Sequence, residues 1–142
     1  MAQAEIERTL LVDRDRLFSV ITHYEDYPQF VDGVSAVQVE RKSPGHTRVT
    51  YKVHMIKEIS YVLDLQENAD AGTVSWTLVE SDFMKVNQGG WRLKASGSGK
   101  TDIAYQVEVE FKIPVPGMIL NRLVKGSLPA MIKSFENRAK GA

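Results

Sequence analysis

The chain has 142 residues, of which 43% are hydrophobic and 25% charged, proportions typical of a globular protein with one core. Its 18 Lys and Arg residues balance its 18 Asp and Glu residues. The overall charge therefore gives no reason to expect nucleic acid or an anionic membrane as a partner. Cysteine is absent, which excludes disulfides, thiolate catalysis and cysteine-based metal sites. The three histidines, His23, His46 and His54, lack the spacing of a metal site, so we expect no bound metal. We expect no cofactor either.

The N-terminus does not have the basic start and apolar run of a secretory signal. No apolar stretch approaches the roughly 20 residues that a membrane-spanning helix needs. We therefore expect a cytoplasmic protein that does not insert stably into a membrane. The length of the chain suits a single domain over residues 1–142.

The first elements are a strand and two short helices. Residues 5–10 alternate in character and predict a strand, and Asp13 is placed to cap the helix that follows. The apolar stripe of that helix comprises Leu17, Val20, Ile21 and Tyr24. A second short helical turn is limited by Pro28.

From residue 37 to residue 111 the hydrophobic period is close to two, which predicts about six further strands. Turn residues separate the strands at 43–45, 68–72 and 96–99, and such short connections favour antiparallel neighbours. Gly89 and Gly90 fall inside a strand, where paired glycines indicate a bulge or a close approach of another backbone. Clean alternation gives the sheet one apolar face, which another element must cover.

The covering element is a C-terminal helix. Its apolar stripe comprises Leu120, Leu123, Val124, Leu128, Met131, Ile132 and Phe135. Pro129 falls inside this helix and is expected to kink it near Gly126 and Ser127. The predicted fold is α+β: a curved antiparallel sheet of about seven strands wraps a long C-terminal helix, the helix-grip arrangement.

Two motifs strengthen this interpretation. Residues 24–30, Tyr-Glu-Asp-Tyr-Pro-Gln-Phe, follow the first helix, and residues 111–117, Phe-Lys-Ile-Pro-Val-Pro-Gly, lead into the last one. With the element order, they make the chain similar to the START-like helix-grip (SRPBCC) superfamily. Within it, the chain resembles the polyketide cyclase/dehydrase and lipid transport group, which includes coenzyme Q-binding proteins and ribosome-association toxins. The resemblance implies a deep cavity for lipids, quinones or polyketides, and it transfers no fixed set of catalytic residues.

A curved sheet that grips one helix leaves space at its open end unless large side chains fill it, and ligand sites favour such concave apolar places. Each large apolar side chain is also a candidate for ordinary core packing. The candidate lining residues are Phe30, Tyr51, Val53, Met55, Tyr61, Leu63, Trp76, Leu78, Trp91, Tyr105, Leu128, Met131 and Phe135.

Polar candidates are few. The hydroxyls of Tyr51, Tyr61 and Tyr105 share the apolar face, and each needs either a core partner or the polar end of a ligand. Arg8 has the parity of the inward residues of its strand and is a candidate anchor for a ligand, unless it lies at the strand end or pairs with an acid. His54 and Glu58 flank a turn as a conceivable acid/base pair, but His54 has the parity of the solvent face.

Three functions are open from the sequence. We favour a non-catalytic binder or carrier of a lipid, quinone or polyketide over an enzyme, because the resemblance implies such ligands and no catalytic constellation is visible. The alternatives are a polyketide aromatase/cyclase that uses the tyrosines and Arg8, and a protein-interaction module similar to ribosome-association toxins. The sequence does not give the ligand or the oligomeric state.

Overall fold

The computed structural model describes residues 2–54 and 57–141, so the predicted lining residue Met55 lies outside the described residues. The side chains of Leu123 and Val124, two members of the predicted helix stripe, also lie outside the description. Within these limits the expected α+β helix-grip fold is confirmed, with one seven-stranded antiparallel sheet and a C-terminal helix.

The strands of the sheet are long and follow one another around the molecule. Their bounds are β1 Ala2–Leu10, β2 Val34–Ser43, β3 His46–His54, β4 Glu58–Asn68, β5 Thr73–Ser81, β6 Met84–Gly97 and β7 Lys100–Phe111. The spatial order is β1-β7-β6-β5-β4-β3-β2, so β1 and β2 form the two edges. Every pair of neighbours is antiparallel, as the short turns predict.

The connection from β1 to β2 carries the two predicted short helices. Helix α1 spans Arg14–Thr22, a 3₁₀ turn spans Tyr24–Asp26, and α2 spans Tyr27–Phe30. The carbonyl of Asp13 accepts the first helical hydrogen bond from Leu17 at 3.0 Å. The carboxylate of Asp13 makes no capping bond, which corrects the expected capping role.

The C-terminal helix is interrupted near the predicted position. Helix α3 spans Gly117–Asn121, a π-helical segment spans Arg122–Gly126, and α4 spans Leu128–Gly141. Pro129 lies in the first turn of α4, where its missing N–H group costs no helical hydrogen bond. The expected position of the kink therefore coincides with the boundary between the π-helical segment and α4.

Helix α4 buries the expected face. Leu128, Ile132, Phe135 and Ala139 are buried, and Phe135 is only 2% exposed. Helix α4 packs against α1, α2 and β1, and Phe135 reaches the ring of Trp91 on β6. No helix in the described part of the chain is both long and apolar enough to span a membrane.

Candidate ligand-binding interior

The concave face of the sheet carries a connected set of aromatic rings. Tyr51 on β3 and Tyr61 on β4 are register partners, and their rings stack with centroids 5.2 Å apart. On the other half of the sheet, Trp91 lies edge-on to Tyr105, with centroids 4.9 Å apart. Trp91 also lies 5.1 Å from Phe135 of α4. Aromatic pairs in these offset and edge-on arrangements stabilise a fold beyond simple area burial.

Tyr27, at the start of α2, joins the two halves. Its ring centroid lies 6.3 Å from that of Tyr51 and 5.3 Å from that of Phe135. Its hydroxyl donates a hydrogen bond of 2.5 Å to the carbonyl oxygen of Ile21, which fixes the ring in place. Tyr27 is not among the lining residues predicted from the sequence, although it belongs to the aromatic motif that follows the first helix.

Three tyrosine hydroxyls in this interior have no hydrogen-bond partner among the described residues. The hydroxyls of Tyr51, Tyr61 and Tyr105 form no hydrogen bond with another described residue, whereas those of Tyr24 and Tyr27 do. Tyr51 and Tyr105 are buried and Tyr61 is partly buried, so each hydroxyl lies within the apolar interior without a bond to another described residue.

Burial controls the protonation of these tyrosines. Removal from water is the largest cause that raises the pKa of Tyr51, Tyr61 and Tyr105 above the usual value. Neighbouring tyrosine hydroxyls add to the effect at Tyr51 and Tyr105. All three are therefore neutral at physiological pH and available to donate a hydrogen bond to a carbonyl or ether oxygen.

Trp76 has a partner within the protein. Its indole Nε1 donates a 3.0 Å hydrogen bond to Oδ1 of the buried Asn87. The Asn87 amide nitrogen in turn lies 3.6 Å from Sδ of Met84. This polar group of Trp76 is therefore satisfied without a ligand, and only its ring faces contribute to the interior.

The remaining predicted lining residues divide by burial. Val53, Leu63 and Leu128 are buried, and Phe30, Leu78 and Met131 pack partly buried against the same core. Their burial fits ordinary core packing as well as contact with a ligand, so their role as lining residues stays a prediction.

Arg8 does not lie inside the molecule. It is exposed, and its Nη1 donates a 3.0 Å hydrogen bond to the carbonyl oxygen of Glu7. The strand β1 is an edge strand, so a long side chain near its end can turn outward to water in spite of its inward parity. This position matches the strand-end alternative for Arg8 rather than that of an inward polar anchor.

The other charged candidates also face solvent. His54 and Glu58 are register partners at the ends of β3 and β4, and both are exposed. Glu58 lies 4.0 Å from the ammonium group of Lys52. The described residues contain no group of three or more His, Asp or Glu side chains that would hold a metal ion.

Glu136 is a buried carboxylate next in sequence to Phe135, the aromatic residue of α4. Its Oε2 accepts a 2.9 Å hydrogen bond from the backbone N–H of Leu11, so it ties α4 to the segment that follows β1. Burial alone would raise the pKa of Glu136, but the Leu11 N–H and the ammonium groups of Lys133 and Lys140 outweigh it and lower the pKa. This carboxylate is therefore ionised and already engaged.

Two surface grooves lie elsewhere. One of about 580 Å³ lies between α1 and α4 and includes Phe30 and Arg138, whose guanidinium is paired with Asp26 at 3.3 Å. Another of about 640 Å³ is bordered by charged residues such as Arg92 and Asp102. The interior tyrosines do not line either groove.

Solved structures with similar folds cover nearly the whole chain. The Zhui aromatase/cyclase from Streptomyces sp. R1128 has a TM-score of 0.87 at 12% identity, covering 98% of this chain and 93% of that one. A START superfamily protein from Mycobacterium smegmatis has a TM-score of 0.87 at 18% identity, covering 98% and 97%. At these identities the likeness shows the fold.

Sequence comparison adds relatives and a family. The ribosome association toxin RatA from Escherichia coli K12 is 22% identical over 138 residues, which cover 96% of this chain and 87% of the toxin. The persistence and stress-resistance toxin PasT from E. coli O6:H1 is similar to the same degree. The family model described as "Polyketide cyclase / dehydrase and lipid transport" matches residues 12–136. Since that match spans most of the chain, the protein belongs to the polyketide cyclase/dehydrase and lipid transport family.

Proposed function

We propose that the protein binds and carries a neutral, largely apolar small molecule, such as a quinone, lipid or polyketide, between the sheet and α4. One observation carries the proposal. The hydroxyls of Tyr51, Tyr61 and Tyr105 lie in an aromatic interior and have no hydrogen-bond partner among the described residues. A buried hydroxyl without a partner is costly, and the cost is relieved when a ligand oxygen accepts its hydrogen bond.

The chemistry of the interior favours a neutral ligand. The buried polar or charged side chains among the described residues are Thr47, Asn87, Thr101 and Glu136. They include no cation, so a carboxylate buried there would lack a charged partner. The tyrosines offer hydrogen-bond donors, which suit carbonyl oxygens, and the ring faces suit a planar molecule. Apolar burial would supply most of the affinity, at roughly 25 cal/mol per Å² before ordering costs.

An aromatase/cyclase is the alternative enzyme. The fold is shared with a protein named as an aromatase/cyclase, and a neutral tyrosine can stabilise an enolate oxygen that develops on a ketone. A tyrosine with a raised pKa is a hydrogen-bond donor and a poor base at neutral pH. Cyclisation would thus need a base from elsewhere, so we place binding ahead of catalysis.

A protein-interaction role similar to that of the named toxins is the third candidate. Its support is the similarity to RatA over almost the full chain. Sedimentation with purified ribosomes, at a salt concentration that preserves assembled subunits, separates this role from small-molecule binding.

The test is native mass spectrometry of the purified protein, followed by organic extraction and titration with menadione, a short-chain ubiquinone and palmitate. We expect a bound neutral molecule and saturable binding of a quinone with weaker binding of palmitate. Y51F and Y105F keep the rings and remove the hydroxyls, and each should weaken quinone binding by about threefold to tenfold. Y24F is the matched control, because the Tyr24 hydroxyl is already bonded to Glu67. An empty protein that binds none of these probes would overturn the proposal.

A further inference from the structure

The short helix α3 and the loop before it leave large apolar side chains in water. Across the described residues, the exposed large hydrophobic side chains are Leu11, Val79, Ile113, Met118 and Ile119. Three of these five fall between residues 113 and 119, and Met118 is 77% exposed. Helix α3 has no buried residue. Single exposed apolar residues are common on proteins, but such a concentration in one segment marks an interaction surface.

Charge is also concentrated in this part of the chain. Acidic residues are absent from 112 to 135, whereas that stretch contains Lys112, Arg122, Lys125 and Lys133. The equal numbers of basic and acidic residues in the whole chain conceal this asymmetry. This segment is therefore basic, so the zero net charge of the whole chain is no argument against an anionic partner here.

Two of these four basic side chains are exposed and have no ion-pair partner among the described residues. Arg122 and Lys125 are exposed, and neither forms an ion pair with another described residue. Lys133 contacts Glu136 at 3.4 Å. The Lys112 ammonium donates to the carbonyl of Ser81, next to the acidic Asp82 in the following turn. Arg122 and Lys125 are thus the side chains free to meet an external anion.

The backbone keeps this segment distinct from the packed part of α4. Pro114 and Pro116 precede α3, and the helix is broken again between the π-helical segment and Leu128. Helix α3 has no buried residue, whereas α4 buries residues from Leu128 onward. A short helical segment between two breaks, with apolar and basic side chains in water, has the composition of an interfacial anchor.

We propose that residues 112–125 form a peripheral docking surface for a membrane that contains anionic lipids. Apolar side chains such as Met118 and Ile119 would enter the boundary between headgroups and acyl chains, while Arg122 and Lys125 meet lipid phosphates. Phosphates of a nucleic acid would attract the same cations but would leave the apolar side chains in water. Docking does not depend on the proposed cargo, although it would bring a carrier to the place where an apolar ligand is stored.

Vesicle sedimentation tests this surface. The full chain is mixed with phosphatidylcholine vesicles, with or without 30% phosphatidylglycerol, at low and high salt. We expect binding to the anionic vesicles that is lost at high salt and weak binding to the neutral ones. The charge variant R122E/K125E and the apolar variant M118S/I119S should each weaken binding, the charge variant by at least about tenfold.

Matched controls place similar changes elsewhere. L11S and V79S remove exposed apolar side chains outside the segment, and R92E/K94E reverses two charges on the sheet. The proposal is overturned if the full chain ignores anionic vesicles, or if the control variants lose as much binding as the segment variants. Preferential binding to single-stranded RNA over vesicles would overturn it as well. Native mass spectrometry of the same variants should show unchanged ligand occupancy, so failure of docking and failure of ligand binding are distinguishable.

Discussion

Asn87 is a buried polar residue that provides a hydrogen-bond acceptor for an aromatic side chain of the interior. Its side-chain oxygen accepts the indole hydrogen of Trp76 at 3.0 Å, so an aromatic ring with a polar N–H group stays on the apolar face. Alternation in the sequence predicts that Trp76 points inward, but it does not identify the acceptor, because residue 87 is eleven positions away on another strand. Partners across a sheet depend on register, which a single sequence does not reveal.

Replacement of Asn87 by Leu should lower the free energy of unfolding by about 1–3 kcal/mol, since the buried Trp76 N–H then has no acceptor. Urea denaturation at pH 7, followed by tryptophan fluorescence, measures the change. Q88L is the control, because Gln88 is exposed and bonds only to the side chain of Glu108. Equal losses from both variants would contradict the role given to Asn87.

Two tyrosines that touch each other should respond in opposite ways to loss of the hydroxyl. The Tyr27 hydroxyl is buried and bonded to Ile21, so Y27F should destabilise the ligand-free protein by about 1 kcal/mol. The Tyr51 hydroxyl has no partner among the described residues, so Y51F should be neutral or slightly stabilising. Thermal or urea unfolding of delipidated samples compares the two. A loss for Y51F as large as that for Y27F would show that the Tyr51 hydroxyl is already satisfied.

At the scale of elements, proline and glycine residues that interrupt the hydrophobic pattern predict local features of the helices and strands. Pro129 predicts a kink of the C-terminal helix near Gly126 and Ser127, and the structure has the boundary between the π-helical segment and α4 at that place. Gly89 and Gly90 predict a close approach, and β6 does approach both neighbours there, pairing with β5 over residues 73–76 and 89–92. These features follow from local chemistry, because proline lacks an N–H group and glycine lacks a Cβ atom.

Substitution of Gly89 by Ala should be severe. A Cβ atom at that position would lie 2.1 Å from the carbonyl oxygen of Gln106 and 2.9 Å from Cα of Val107, so the backbone of β7 must move. We expect a loss of about 3 kcal/mol or more in the free energy of unfolding, or failure to fold. G97A lies in the same strand, where the nearest atom is 3.9 Å away, and should change stability by less than about 1 kcal/mol. Denaturant unfolding of both variants would refute this account if their stabilities were equal.

Across the whole molecule, the hydrophobic period of the sequence is enough to predict the fold but not to identify the residues of the binding site. Alternation along the strands and the stripe of α4 predict which faces meet, and the fold follows from those faces. The same parity left Arg8 open between an inward anchor and a strand-end position, and it turns outward because β1 is an edge strand. Composition averaged over the chain concealed the basic segment before α4. Direction and average charge can be read from a sequence, whereas volume, partners and local exposure require the packed structure.

All five tyrosines of the chain are shielded from water, which predicts that the folded protein loses stability at high pH. Burial is the largest cause that raises the pKa of each tyrosine above the usual value near 10. Below pH 10 both folded and unfolded chains keep these protons, so their contribution to stability is fully present. Above pH 10 the unfolded chain loses tyrosine protons that the folded chain retains, and stability falls by up to about 1.4 kcal/mol per pH unit for each tyrosine.

We therefore expect cooperative alkaline unfolding between about pH 10 and 12, with tyrosinate absorbance rising only as the circular dichroism of the sheet disappears. Titration of absorbance near 295 nm, repeated in 6 M guanidinium, compares the folded and unfolded chains. Y51F removes one shielded proton and should make the loss of stability with pH less steep, while lysine deprotonation is the same in both proteins. Tyrosines that ionise near pH 10 while the circular dichroism remains native would show that the interior is open to water, and would weaken the case for an enclosed ligand site.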